Sequence, residues 1–72
     1  MKKNKLIPYE IKITSNSFYI DNYQKIEQIN DKQIILKTST NQISLLGNNF
    51  RINKLCDNEL LAIGEINKLE IK

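Results

Sequence analysis

Apolar residues stand at every second position along most of this chain. Tyr9, Ile11 and Ile13 alternate with Glu10 and Lys12, which is the pattern of a β-strand with one buried face. Similar alternation returns later in the segments QIILKT, QISLL, FRI and EINKLEI, each separated from the next by turn-forming residues. Strand signals at roughly eight to twelve residues or closer predict an all-β fold that needs no long helix.

The turn signals divide the chain into about seven short strands. These signals are Thr14 to Ser17, Asp21-Asn22, Asn30-Asp31, Ser39 to Asn41, Gly47 to Asn49, Asp57-Asn58 and Gly64. We therefore predict a small, single-domain antiparallel meander or sandwich with corners at its glycines. Residues 23–29 are ambiguous, because Ile26 and Ile29 have helical spacing, and we expect at most one helical turn there.

Three local features complete the expected fold. Asn41 is expected to adopt the left-handed conformation in a hairpin turn, and a bulge is expected near Lys54. The nearly continuous apolar run of residues 59–63 (ELLAI) is expected to be the most buried strand. The predicted core consists of Ile11, Ile13, Phe18, Ile20, Ile26, Ile34, Leu36, Ile43, Leu45, Phe50, Ile52, Leu61, Ile63, Ile66 and Leu69.

Two segments of the sequence resemble each other. The first begins at Gly47 and reads GNNFRINKL, and the second begins at Gly64 and reads GEINKLEIK. Each follows an apolar strand and resumes with alternating apolar residues. Two copies are too few to indicate a solenoid, so we interpret them as two similar strand–glycine–strand corners.

The length of 72 residues allows one domain with one small core, which buries only about 60% of the unfolded chain's surface. We assign residues 8–72 to that domain and residues 1–7 to a basic, frayed N-terminal tail. No apolar run follows this basic start, which excludes a signal peptide and predicts a cytoplasmic protein. The net charge of +3 permits an anionic partner without requiring one.

The composition argues against catalysis and metal binding. The chain has no histidine and one cysteine, so its serines lack the usual activating base and a zinc site would need carboxylates. Turn and solvent-face positions account for the acidic residues, and Cys56 is interpreted as a buried or half-buried structural residue. We predict no enzyme activity and no catalytic, cofactor-binding or metal-binding residues.

Nucleic-acid binding is the alternative function. Tyr19, Tyr23 and Arg51 are candidate stacking groups, with lysines to contact phosphates. The segment LLGNNFRI resembles the glycine-containing stretch of Sm-like RNA-binding barrels, although Leu46 stands where those barrels have an arginine. The lysines are also scattered among acidic residues. A small Sm-like or OB-like nucleic-acid-binding barrel therefore stays the second hypothesis.

Edges of a small open sheet favour association with another strand. Residues 67–72 (NKLEIK) carry Leu69 and Ile71 on one face and charges on the other. We expect a homo-oligomer or a partner complex with this strand, or residues 9–13, at the interface. The opposite interpretation is that Lys68, Glu70 and Lys72 act only as edge charges that keep the protein monomeric.

Four stretches of the chain resemble the YabP/YqfC family of sporulation proteins. They are FYIDNYQKIEQI, QIILKT, ISLLGNNFRINKL and ELLAIGEINKLEI. The resemblance as a whole covers the chain roughly from Pro8 to the end. The Asn22-Tyr23 turn is closer to the YqfC branch. The resemblance implies a non-catalytic accessory protein of endospore formation in the mother cell, at or near the forespore membrane. A YqfD-like membrane-anchored sporulation protein is the partner that it implies.

Overall fold

The protein folds into one antiparallel sheet of six strands, in the order β1-β2-β6-β5-β4-β3. The computed structural model describes residues 8–72, so the predicted N-terminal tail lies outside the described residues. The strands are β1 Glu10–Ile13, β2 Ser17–Asp21, β3 Lys25–Ile29, β4 Gln33–Lys37, β5 Gln42–Cys56 and β6 Glu59–Ile71. The prediction of an all-β antiparallel fold is confirmed.

The structure has six strands and not seven, because one strand is added and two pairs of predicted strands are each a single strand. Lys25–Ile29 forms β3, so the segment that the sequence left ambiguous adds a strand and contains no helical turn. Gly47 and Gly64 do not end strands but lie inside the long strands β5 and β6. The four strands predicted on either side of the glycines are therefore two.

The long strands β5 and β6 change partners along their length. Residues 42–46 of β5 pair with β4, whereas residues 51–56 have only β6 as a neighbour among the described strands. Residues 59–63 of β6 pair with β2, whereas residues 68–71 have only β5 as a neighbouring strand within residues 8–72. We call β1, β2, residues 59–63 and residues 51–56 the first half-sheet; β3, β4, residues 42–46 and residues 66–71 form the second.

Four rows of cross-strand partners form the inner face of these half-sheets. In the first half-sheet they are Ile11–Ile20–Leu60–Leu55 and Ile13–Phe18–Ala62–Ile52. In the second they are Ile26–Leu36–Ile43–Ile71 and Ile29–Ile34–Leu45–Leu69. The two middle members of every row are almost completely buried, and those of both half-sheets join one core cluster. The half-sheets therefore pack face to face, as in a sandwich.

The core is covered in its middle and open at its sides. The outer members of the rows are much more exposed, including Ile13 at 42%, Ile52 at 39% and Ile71 at 50%. Ile13 and Ile52 were expected in the core, and this was wrong because they lie on edge strands. Confirmed as buried are Phe18, Ile20, Ile34, Leu36, Ile43, Leu45 and Phe50, and Ile11, Ile26, Ile66 and Leu69 pack against them.

The burial of β6 differs from the prediction by one residue. Leu60 and Ala62 are buried, Leu61 is half-buried and Ile63 is exposed. The run ELLAI is apolar on both faces, so its sequence does not indicate which face turns inward, and the pairing with β2 decides it. Tyr23, which the sequence analysis left out of the core, is buried.

The two glycines are required by close packing and not by an unusual φ, which is positive at neither. A Cβ at Gly47 would overlap the carbonyl oxygen of Glu65, and one at Gly64 would lie 2.9 Å from the carbonyl oxygen of Asn49. Both would also come within 2.7 Å of the Phe50 ring. The ring of Phe50 therefore lies against both glycines, where the backbones of β5 and β6 leave no room for a side chain.

Asparagine and aspartate provide the left-handed positions. Asp57 and Asn58 have φ of 51° and 64° in the turn between β5 and β6, and Asn22 and Asn49 are also positive. Asn41 is not, so that expectation is wrong; its side chain instead accepts a hydrogen bond from the Tyr9 hydroxyl. The bulge expected near Lys54 is present, since the register shifts between Ile52 and Lys54.

Candidate functional site

The two short hairpins, β1–β2 and β3–β4, are hydrogen-bonded through their turns to the bends at Gly64 and Gly47, respectively. Gly64 and Ile66 donate backbone hydrogen bonds to Asn16 and Ser15, in the turn between β1 and β2. Gly47 and Phe50 donate in the same way to the turn between β3 and β4. The two resembling segments of the sequence thus have equivalent positions in the fold, each receiving one hairpin.

This arrangement places β1 alongside the end of β6. At one end, Ile66 N–H donates to the Ser15 carbonyl. At the other end, Asn41 joins the two strands, because it accepts from the Tyr9 hydroxyl and donates to the Lys72 carbonyl, over 3.0 and 3.1 Å. Between these anchors β1 pairs with β2 and the end of β6 pairs with β5. We call the space between these two edges the first seam.

A second seam separates β3 from residues 51–56 of β5. Phe50 N–H donates to Asp31 at one end, and the Asn58 side chain donates to the Tyr23 carbonyl at the other. Both of its strands are irregular, with register shifts between Ile26 and Gln28 and between Ile52 and Lys54. Bulges of this kind prevent an edge from pairing with another strand.

In the first seam, β1 is regular along its length and β6 is regular from Lys68 to Ile71; the register of β6 shifts only beside Ile66, at the end of the seam. Gln42 and Lys72 exchange two backbone hydrogen bonds. Because such pairs alternate with non-bonded ones, the N–H and C=O groups of Leu69 and Ile71 point away from β5. On β1, Thr14 N–H donates to Ser17, so the backbone groups of Ile11 and Ile13 point away from β2. These four residues make the first seam a candidate strand-binding site.

Three neighbouring side chains of the first half-sheet, Tyr19, Lys54 and Glu59, have shifted pKa values. Lys54 and Glu59 form an exposed ion pair of 2.8 Å, whose hydrogen bond lowers the pKa of Glu59 and raises that of Lys54. Partial burial, together with Glu59, raises the pKa of Tyr19. Within residues 8–72, no group of three His, Cys, Asp or Glu side chains is arranged to hold a metal ion.

Two residues singled out in the sequence lie elsewhere than expected. Cys56 is exposed at the end of β5 and is not a buried structural residue, because it lies next to the Asp57-Asn58 turn on an edge strand. Tyr23 is buried in the core, which removes it as a stacking group for bases. Tyr19 lies beside Glu59 and Asp21, whose charges would repel a phosphate backbone.

Both edges of the first seam were predicted from the sequence as interfaces, but their proximity was not. Residues 67–72 and 9–13 were separate candidates, and the hydrogen bonds at Ser15 and Asn41 bring them together. One signal was available in the sequence. Residues 10–13 read EIKI, and residues 69–72 read LEIK, or KIEL in the reverse direction. In antiparallel alignment these two segments place opposite charges against each other and apolar residues against apolar residues.

Comparison with known proteins identifies the family of the chain. Residues 9–72 match the model of the YabP family. The curated proteins and the solved structures give no significant match. Across residues 8–72 the structure contains no helix long and apolar enough to cross a membrane. Since the match covers nearly the whole chain, the protein belongs to the YabP family.

Proposed function

We propose that this protein is a non-catalytic accessory protein of endospore formation that acts as a small β assembly module. Its family supports the link to sporulation. The observation that supports the assembly role is the first seam. There β1 and residues 68–71 of β6 keep a regular register and direct backbone N–H and C=O groups outward, beside exposed apolar side chains such as Ile13 and Ile71. Strands of other chains add to such edges.

Within the family we place the chain near the YqfC branch, on the basis of the Asn22-Tyr23 turn. In the structure Asn22 has a φ of 73° and Tyr23 is buried, so the turn is a structural element of the domain. The proposed setting is the mother-cell cytoplasm. There the chain would assemble with itself, with a YqfD-like membrane-anchored protein, or with both, at the periphery of the forespore membrane.

The test is recovery of partners from sporulating cells that carry a tagged chain. We expect a sporulation protein to be recovered with the wild-type chain and lost with Ile71→Pro. The Ile71 N–H points away from β5, so proline there removes an outward donor and spares the ladder within the chain. Glu70→Pro is the matched control, because its N–H points toward β5 and its loss should destabilise the sheet itself.

Two results would contradict the proposal. One is normal spore formation in cells that lack the gene. The other is equal recovery of partners with Ile71→Pro and with the wild-type chain, which would place the interface away from the first seam.

A further inference from the structure

We propose that β1 of one copy pairs antiparallel with the end of β6 of a second copy, with Ile11 opposite Ile71 and Ile13 opposite Leu69. This pairing deepens the assembly role proposed above, because it names the partner as the same chain and fixes the register. It rests on backbone direction, apolar position and charge, which all select the same alignment.

The backbone groups match in this register. Ile11 and Ile13 direct their N–H and C=O groups away from β2, and Leu69 and Ile71 direct theirs away from β5. In an antiparallel ladder, bonded pairs occur at every second residue. The two bonded pairs would be Ile11 with Ile71 and Ile13 with Leu69, so all four outward-directed residues would be used.

The same alignment joins the two apolar surfaces. All four residues lie on the inner face of their half-sheets, in rows whose middle members are buried. The outer members Ile13 and Ile71 are 42% and 50% exposed. Pairing would extend each inner row from one copy into the next and would cover these side chains, which removes apolar surface from water.

Charges on the outer face select the register. In the proposed alignment Glu10 faces Lys72 and Lys12 faces Glu70. A shift of two residues would instead place Glu10 opposite Glu70, or Lys12 opposite Lys72, and like charges directly opposite destabilise a ladder. Within one chain Glu70 contacts Lys68 over 3.2 Å and Lys12 lies 5.8 Å from the Tyr19 ring centre, and both are surface contacts.

A second copy is needed because one chain cannot pair these strands with each other. They belong to opposite half-sheets with core side chains between them. Packed sheets lie about 10 Å apart, whereas paired strands lie about 4.8 Å apart. Closing the seam within one chain would therefore expel the core. Since every copy has one β1 and one β6, the pairing is reciprocal in a dimer or continues head to tail.

The test uses charge swaps that leave the net charge unchanged. One variant exchanges the charges of β1, E10K/K12E, and the other exchanges those of β6, E70K/K72E. Sedimentation velocity of the purified full-length chain over a series of concentrations measures self-association. We expect the wild-type chain to associate and each variant alone to associate roughly tenfold more weakly, since two attractive pairs become repulsive.

Recombination of the swaps separates interface effects from folding effects. An equimolar mixture of the two variants, and a single chain that carries both swaps, restore opposite charges at every position and should associate like the wild type. If a variant melts at a lower temperature by circular dichroism, recovery in the mixture still reports the pairing, because a folding defect would persist in the mixture.

Three outcomes would overturn the inference. They are a wild-type chain that stays monomeric at high micromolar concentration, single variants that associate normally, and a mixture that does not recover. If E10K/K12E is the single variant that associates normally, β1 pairs with β1 of the second copy. In that pair residue 10 faces residue 12, so Glu remains opposite Lys after the exchange. These measurements involve no sporulating cells, so a failure of the sporulation role would leave them unaffected.

Discussion

The two half-sheets share one plan but differ on their outer faces. Each consists of a short hairpin and parts of β5 and β6, and each contributes four fully or almost fully buried side chains to the middle of its inner rows. On the outer face, the first half-sheet has an acidic row, Glu10–Asp21–Glu59. The row at the equivalent position of the second is basic, Lys25–Lys37–Gln42–Lys72.

Their seams differ as well. In the first seam, β1 and residues 68–71 of β6 keep a regular register, and the register of β6 shifts only at the end of the seam beside Ile66. In the second seam, both strands contain bulges in the middle of their length. The inner rows, which are alike, specify the fold. The outer rows and the edges, which are not alike, distinguish one side of the molecule from the other, and this distinction is what a directional contact between copies requires.

The largest expected effect comes from the residue that both half-sheets share. Phe50→Ala removes the ring that lies across Gly47 and Gly64 and should lower the free energy of unfolding by about 3–5 kcal/mol. That loss is a large part of the usual margin of about 5–15 kcal/mol. Urea unfolding measures it, with Phe50→Leu as the control that keeps most of the volume. A loss below about 1 kcal/mol would contradict the central position of this ring.

The second prediction compares the middle and the edge of one row. Leu60 is fully buried, whereas its row partner Leu55 is 50% exposed. Leu60→Ala should cost about 2–5 kcal/mol, and Leu55→Ala only about 1 kcal/mol. The pair Leu45 and Leu69 repeats the comparison in the second half-sheet. Equal losses at Leu60 and Leu55 would show that the sides of the core are covered in solution.

The third prediction concerns the two bends. Gly47→Ala should destabilise the protein by about 3 kcal/mol, because the new methyl group would meet the backbone oxygen of Glu65 across the ladder. Gly64→Ala should cost less, since its new methyl group would lie 2.9 Å from the nearest backbone oxygen, that of Asn49, whereas the methyl group at Gly47 would overlap one. Thermal melting of the two variants gives the order. The reverse order would mean that the bends are not packed as the structure shows.

The smallest effect is the pH dependence of the ion pair in the first half-sheet. The hydrogen bond from Lys54 lowers the pKa of Glu59 below its ordinary value of 4.5. This contribution to stability is therefore present above pH 4.5 and disappears as the pH falls through the lowered value. The small advantage of the wild-type chain over Glu59→Gln should accordingly vanish on acidification, as followed by urea midpoints. An advantage that grows in acid would contradict this.

Much of the fold could be predicted from alternation along single strands. Phe18, Ile20, Ile34 and Leu36 are flanked by polar or less buried positions, and all four are buried as expected. Prediction failed in ELLAI, where apolar residues occupy both faces and the alternation does not show which face turns inward. It stayed open in residues 23–29, where the spacing of Ile26 and Ile29 also fits a helix. It also failed at Ile13 and Ile52, because alternation indicates a face and not whether a neighbouring strand covers it.

The candidate site was predicted only in its parts. Both edge strands were named from the sequence, and their charges were visible there. Their proximity depends on the contacts of Ser15 with Ile66 and of Tyr9 with Asn41, which join residues far apart in the chain. Such contacts follow from the whole arrangement of strands and have no local sequence signal.

The sequence by itself determined the all-β class, the inward-facing residues of most strands, several of the turns and the family, because each depends on neighbouring residues or on their order. Only the tertiary structure decided that the glycine corners are bends within two long strands, since each glycine is required by the backbone of a neighbouring strand that is distant in sequence. It also decided which apolar residues stay exposed and which edges lie side by side, because burial and proximity are set by the partners that each strand finds.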